Sequence, residues 1–186
     1  SMGLNAQPSG ERVHIGFFGL RNAGKSSVVN RVTGQTLSIV SDVKGTTTDP
    51  VQKAMELLPI GPVVIIDTPG IDDEGTLGEE RVRRALRVLE KTDIAVLVTD
   101  STRGLQPAEQ ELIELFRKRE IPFVIAHNKA DLTSVPASVP ENEIYVSAAA
   151  DSNIRELKEL IARAVKPTEP EKRLVADLLA PNDTVV

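Results

Sequence analysis

The sequence predicts an α/β fold in which a mostly parallel sheet of about six strands is flanked by helices. Short apolar runs rich in Val and Ile alternate along the chain with longer amphipathic stretches. This alternation is typical of parallel strands that are joined by crossover helices. A chain of 186 residues, of which 40% are hydrophobic, is enough for one domain with a single core.

The strands are predicted where runs are short, apolar and β-branched, as in strands buried within a parallel sheet. These runs cover residues 13–18, 63–66, 94–99, 123–126 and 144–146, and a further strand is expected between residues 54 and 58. The helices are predicted where apolar residues recur three and four positions apart. They cover residues 25–32, 79–89, 107–119 and 154–165, and Pro107 suits the first turn of its helix.

The two ends of the chain lack these patterns. Residues 1–11 show no periodicity, which predicts a flexible N-terminal arm whose first three residues resemble a cloning remnant. Two prolines and three charges within residues 167–172 end the last helix and indicate a linker. We therefore expect one domain over residues 12–166, followed over residues 167–186 by a linker and the start of another domain.

Composition excludes several classes of function. The chain has no cysteine, which excludes disulfides, thiolate chemistry and a cysteine-ligated iron–sulfur cluster in this chain and favours a cytoplasmic location. Its apolar runs are too short to cross a bilayer, so no membrane association is expected. A net charge of -5 and a pI near 5.2 give no overall basic field, so nucleic acid is an unlikely partner.

Residues 19–26 match the phosphate-loop pattern G-x-x-x-x-G-K-S/T between a predicted strand and a predicted helix. Glycines let backbone N–H groups turn toward phosphate oxygens, and the helix N-terminus adds its positive dipole end. Lys25 then supplies charge to the β- and γ-phosphates, and Ser26 is expected to ligate Mg²⁺. The sequence thus predicts a P-loop NTPase fold, with nucleotide contacts from Gly19, Asn22, Ala23, Gly24, Lys25, Ser26 and Ser27.

Two further segments are expected to surround the γ-phosphate. The strand at residues 63–66 is followed by Asp67, a carboxylate that can hold Mg²⁺ through water, and by Gly70, whose N–H is placed to sense the γ-phosphate. The irregular stretch before the next strand contains Thr47, which we favour as the switch threonine that closes on Mg²⁺. Thr46 and Thr48 remain alternatives for that role.

A second loop is predicted to recognise the base. Asn128, Lys129 and Asp131 form an N-K-x-D motif at the end of a strand. One carboxylate can accept hydrogen bonds from both the ring N1–H and the exocyclic amine of guanine, so Asp131 selects guanine over adenine. Asn128 would form a hydrogen bond either to the phosphate loop or to the base, and so tie two strand ends together. The backbone of Ser147, Ala148 and Ala149 could contact the guanine carbonyl.

These four segments, in this order, resemble the translation-factor-related GTPases over about residues 12–166, which implies a Ras-like G domain. Asn22 and the sequence Gly-Thr-Thr-Thr-Asp at residues 45–49 resemble the potassium-activated subgroup that serves tRNA modification and ribosome assembly. That resemblance implies that Asn22 and switch-loop carbonyls hold K⁺ in the space of an arginine finger.

A closer resemblance is to the HydF-type FeFe-hydrogenase maturation GTPases, on residues 14–19, 21–27, 54–59, 67–75 and 174–186. It implies that the GTPase domain precedes a dimerisation domain and an iron–sulfur domain in a scaffold or carrier protein. The implied partners are other hydrogenase maturation proteins and the hydrogenase apoprotein. Because this chain lacks cysteine, the resemblance is carried over for nucleotide binding and not for cluster binding.

The expected reaction is slow, Mg²⁺-dependent hydrolysis of GTP to GDP and phosphate, with catalytic roles for Lys25, Thr47, Gly70 and Asn22. Ile71, which follows Gly70, cannot orient water, and the acidic residues that could do so are left as alternatives: Asp72, Asp73, Glu74, Glu79 and Glu80. The main hypothesis is a nucleotide switch in hydrogenase maturation. The alternatives are a GTPase of tRNA modification or ribosome assembly, and a module whose signal is GTP occupancy alone. Formation of a homodimer stays open.

Overall fold

The computed structural model describes residues 11–36, 50–67 and 78–165. Within them, one six-stranded sheet has the strand order β2-β3-β1-β4-β5-β6. The strands are β1 (Val13–Gly19), β2 (Val51–Leu57), β3 (Gly61–Asp67), β4 (Ile94–Asp100), β5 (Phe123–Asn128) and β6 (Glu143–Tyr145). Strand β2 pairs antiparallel with β3, and every other neighbouring pair is parallel. The predicted fold class is confirmed.

Within the described ranges, four α-helices cover the sheet: α1 (Lys25–Thr33), α2 (Gly78–Leu89), α3 (Pro107–Lys118) and α4 (Ile154–Val165). Phe17 lies in a core cluster with residues of α1 and α4, whereas its neighbour Phe18 lies in a second cluster with residues of α2 and α3. Alternate residues of β1 thus enter opposite cores, as side-chain alternation along a strand requires. This burial on both faces explains why the strands have continuous apolar sequences.

Strand β2 begins earlier than the sequence indicates. It spans Val51–Leu57 and pairs with β3 along its full length, although a strand was expected only from residue 54. Gln52, Lys53 and Ala54 are exposed on this edge strand. Since exposed edge residues carry little apolar signal, the pattern underestimates the strand.

The parallel arrangement places the candidate site. The carboxyl ends of β1, β3, β4 and β5 lie at one edge of the sheet and carry Gly19, Asp67, Asp100 and Asn128. Residues Asp100 and Asn128 are direct partners in the register of β4 and β5. In open α/β sheets, ligands bind outside these strand ends.

Several expectations lie outside the described residues. They are the N-terminal arm, the C-terminal linker, the switch threonines Thr46 to Thr48, and Gly70. In the part of the chain that is described, no helix is both long and apolar enough to span a bilayer.

Candidate nucleotide-binding site

The loop after β1 needs glycine at two positions, for different reasons. A Cβ atom on Gly19 would lie 2.5 Å from the carbonyl oxygen of Val98 on the neighbouring strand, which is too close. Gly24 has a φ of +83°, and a Cβ atom there would lie 2.5 Å from Nδ2 of Asn128. Between them, residues Arg21–Ala23 form a short 3₁₀ turn, and α1 begins at Lys25. The first N–H groups of an α-helix have no acceptor within the helix, so a loop that leads directly into α1 suits an anion.

The phosphate loop contacts the end of β3 through a buried ion pair. Nζ of Lys25 lies 2.6 Å from Oδ1 of Asp67, and both side chains are almost completely buried. Ser26, the next residue, is exposed. A buried carboxylate and a nearby hydroxyl provide oxygen donors of the kind that Mg²⁺ prefers, so these residues fit the expected ion.

Asn128 joins the phosphate loop to the loop after β6. Its Nδ2 donates to the carbonyl of Ala23 at 2.9 Å, and its Oδ1 accepts from the N–H of Ala148 at 3.0 Å. The side chain is buried, so neither bond competes directly with bulk water. This single residue therefore fixes the spacing between the loop expected to hold phosphates and the loop expected to contact the base.

The remaining residues of the N-K-x-D motif are also held by side-chain contacts. Oδ1 of Asp131 accepts from Oγ of Ser147 at 2.8 Å, and that hydroxyl in turn accepts from the N–H of Ala150 at 3.0 Å. The backbone contributes as well, because Ala130, the residue before Asp131, donates its N–H to the carbonyl of Val146. The Asp131 carboxylate is exposed but oriented, as a base-reading group should be.

Asp100, at the end of β4, is a site residue that sequence reasoning missed. Its Oδ2 lies 3.0 Å from Nζ of Lys129, and its Oδ1 accepts from both the N–H and the hydroxyl of Thr102. Partial burial alone would raise the pKa of Asp100, but the hydrogen bonds from Thr102 and Lys129 outweigh it and hold that pKa below its ordinary value. The only sequence signal is an aspartate that ends a buried strand. Asp100 orients Lys129, whose stem is expected to lie along the base.

A cleft of about 920 Å³ opens between α1 and the loops after β5 and β6. Its volume is within the range of small-molecule sites in proteins. The walls include Gly24, Ser27, Arg31, Lys129, Asp131, Ala148 and Ala149. The structure thus brings together the residues predicted to bind guanine and a part of the phosphate loop. Their roles in nucleotide binding stay predictions.

The other predicted site residues either lie elsewhere on the surface or fall outside the described residues. Asn22 is exposed in the short turn of the phosphate loop, and Thr47 and Gly70 lie outside the described residues. Of the acidic candidates for orienting water, Glu80 forms ion pairs with Arg83 and Arg84 on its own helix, and Glu79 is exposed at the start of α2. Asp72, Asp73 and Glu74 lie outside the described residues.

Fold and motif order together define a P-loop GTPase domain that binds guanine nucleotides. A family model described as "50S ribosome-binding GTPase" matches residues 14–129. The chain belongs to this family and is a GTP hydrolase.

Individual relatives give the same class. The tRNA modification GTPase MnmE of Legionella pneumophila (strain Paris) is 36% identical over 155 residues, which are 81% of this chain and 34% of that protein. GTPase Der of Maridesulfovibrio salexigens is 41% identical over 125 residues, 64% of this chain and 27% of the relative. The chain therefore spans about a third of the length of the curated relatives it matches.

A solved structure extends the likeness to three dimensions. Era, in complex with MgGDPNP and a segment of 16S ribosomal RNA, superposes with a TM-score of 0.65 at 26% identity. The superposition covers 85% of this chain and 58% of Era. None of these three names refers to hydrogenase maturation, so they do not support the HydF-type expectation.

Proposed function

We propose that this chain is the GTP-operated switch module of a longer protein, in which Mg²⁺-dependent and potassium-stimulated hydrolysis changes how neighbouring parts dock. The observation that carries the proposal is the Asn128 bridge between the phosphate loop and the base-reading loop. Through this bridge, occupation of the base site and arrangement of the phosphate loop depend on each other. Such a link is useful in a switch, where nucleotide state must be transmitted as loop geometry.

The residue roles follow from position. Lys25 leaves its buried partner Asp67 to contact the β- and γ-phosphates, and Asp67 and Ser26 then serve Mg²⁺. Thr47 and Gly70 are assigned to the γ-phosphate from their places in the sequence: Thr47 closes on Mg²⁺, and the N–H of Gly70 contacts the γ-phosphate. Mg²⁺ neutralises charge on the phosphate oxygens when bound, and the chain supplies positioning and electrostatic stabilisation rather than covalent chemistry.

Potassium stimulation is the part of the proposal with the sharpest test. Asn22 is exposed in the phosphate loop, where its amide oxygen can contact a cation beside the phosphates. We expect GTP turnover with Mg²⁺ to be faster in KCl than in NaCl at equal ionic strength, and Asn22→Ala to abolish the difference. Asn142→Ala, far from the loop and bonded to Phe123, is the matched control that keeps stimulation. Equal turnover of the unsubstituted chain in both salts removes the cation site and favours GTP occupancy as the signal.

The cellular process has two candidates. The names of MnmE and of the RNA-bound Era structure favour tRNA modification or a ribosome-related process, while the HydF-type resemblance rests on the sequence segments and on the tail at residues 174–186. Because the net charge of this chain is -5, the first process requires RNA contacts made by other parts of a longer protein. Purification of the longer protein distinguishes the two. RNA that copurifies and dissociates with salt supports the first, and bound iron in a cysteine-containing domain supports the second.

A further inference from the structure

One arginine on α1 holds the backbone of the loop after β6. Nε of Arg31 donates to the carbonyl oxygen of Ala148 at 2.7 Å, although the two residues are 117 positions apart in the chain. The N–H of Ala148 is held separately by Oδ1 of Asn128 at 3.0 Å. Ala148 is thus fixed on both sides by side chains from two other elements.

This contact also determines the direction of the next N–H group. The Ala148–Ala149 peptide is trans, and in a trans peptide the C=O and the following N–H point in opposite directions. With the Ala148 carbonyl directed at Arg31, the Ala149 N–H is turned away from it. Ala149 lies in the wall of the cleft, and its N–H has no acceptor among the described residues.

We propose that Arg31 is a positioning residue for guanine specificity, which holds the Ala148–Ala149 peptide so that the Ala149 N–H meets the 6-carbonyl of guanine. The inference rests on the proposed base site. Adenine carries an amino group at that position and cannot accept this hydrogen bond. Arg31 therefore supports, through the backbone, the discrimination that Asp131 makes at the neighbouring N1–H and 2-amino groups of the base.

The carbonyl contact of Arg31, and not its ion pair, carries this role. Among the described residues, Arg31 forms an ion pair with Asp151 at 3.8 Å, and the two side chains are 45% and 61% exposed. Exposed pairs of this kind contribute little. The 2.7 Å bond from Nε to the Ala148 carbonyl is the shorter contact and joins the side chain directly to the backbone, which makes it the stronger constraint. Because α1 begins at Lys25, the same helix positions both a phosphate-binding side chain and the base-contacting loop.

Two variants of Arg31, whose new side chains have nearly the same length, test the hydrogen bond to Ala148 separately from the charge and from the side-chain stem. Arg31→Gln places an amide N–H at the same number of bonds from Cα as Nε and removes the charge. Arg31→Met keeps the stem and provides no donor. Both residues form helix well and the position is exposed, so α1 is retained in each variant. Asp151→Asn removes only the ion pair and keeps a residue that tolerates the positive φ of 56° at this position.

The test is calorimetric binding of GDP and of 6-thio-GDP, in which a weakly accepting sulfur replaces the 6-oxygen. We expect Arg31→Met to weaken GDP binding about tenfold, the value of roughly one hydrogen bond, and to change 6-thio-GDP binding less than about twofold. Arg31→Gln and Asp151→Asn should keep GDP affinity within about twofold.

Other outcomes overturn the inference in recognisable ways. Equal weakening of both ligands by Arg31→Met means a general structural role, and loss of GDP affinity in Arg31→Gln means that charge matters rather than the N–H donor. Unchanged GDP binding in Arg31→Met removes the positioning role while leaving the guanine site intact. If the unsubstituted chain binds GDP no better than ADP, the proposed base site itself fails.

Discussion

Removal of the Asn128 side chain is the perturbation that tests the site most directly. Asn128→Ala deletes both hydrogen bonds of the bridge and leaves the Ala23 carbonyl and the Ala148 N–H without the partner that they have in the folded chain. Each lost bond that leaves a buried group unsatisfied costs about 1–3 kcal/mol. Two such losses amount to about 2–6 kcal/mol. Because the adjoining cleft is open to water, we expect the lower part of that range, about 2–3 kcal/mol.

The assay is urea unfolding of the nucleotide-free chain, followed by circular dichroism because the sequence has no tryptophan. Asn142→Ala is the matched control, since it removes one half-buried bond of 3.2 Å to the Phe123 carbonyl outside the site. The free energy of unfolding of this control should fall by about 1 kcal/mol, and its affinity for GDP should not change. Asn128→Ala should lose at least twice as much stability, and its GDP affinity should fall by more than about tenfold.

The reasoning is refuted if Asn128→Ala is no less stable than Asn142→Ala. That result would mean that water or local repacking replaces both bonds without cost. A stable Asn128→Ala variant that still binds GDP normally would also refute the coupling between the two loops, because base and phosphate recognition would then be independent.

Two further predictions concern other carboxylates. Asp131→Asn should change the preference from guanine to xanthine, because an amide offers one acceptor for the ring N–H and one donor for the 2-oxo group of xanthine, whereas the two donors of guanine need two acceptors. Competition of GDP against xanthosine diphosphate should shift by at least about a hundredfold, and an unchanged preference would exclude Asp131 from base recognition. Burial raises the pKa of Glu109 above its ordinary 4.5, although its Oε1 accepts from the Gln106 N–H and the Thr99 hydroxyl. The folded state therefore holds this proton more tightly, and stability should fall as pH rises from about 4.5 through the raised pKa. Glu109→Gln keeps an oxygen acceptor at that place and should remove this fall in urea unfolding measured across the same pH window; a fall that persists would assign it to another group.

Local sequence was sufficient for most of the fold and for the loops that carry the motifs. The central strands are buried on both faces, so their apolar runs mark them within one or two residues of the observed ends. Strand β2 was underestimated because four of its seven residues are exposed at the sheet edge. The motif loops were found because each follows a buried strand directly.

The residues that sequence missed act across the chain, and topology explains why. Asp100 has a defined task only because β4 lies beside β5, which brings it opposite Asn128 and within reach of Lys129. Arg31 sits on an exposed helix face, where an arginine normally indicates nothing beyond solvation. Its contact with Ala148 exists because α1 and α4 pack on the same face of the sheet and bring the loop before α4 next to α1. In the proposed base site, recognition of guanine would therefore depend on two levels of structure. The motif residues supply the groups that contact the base. The strand order and the helix packing bring Asp100 and Arg31 next to them, and these two residues hold Lys129 and the backbone of Ala148 in place.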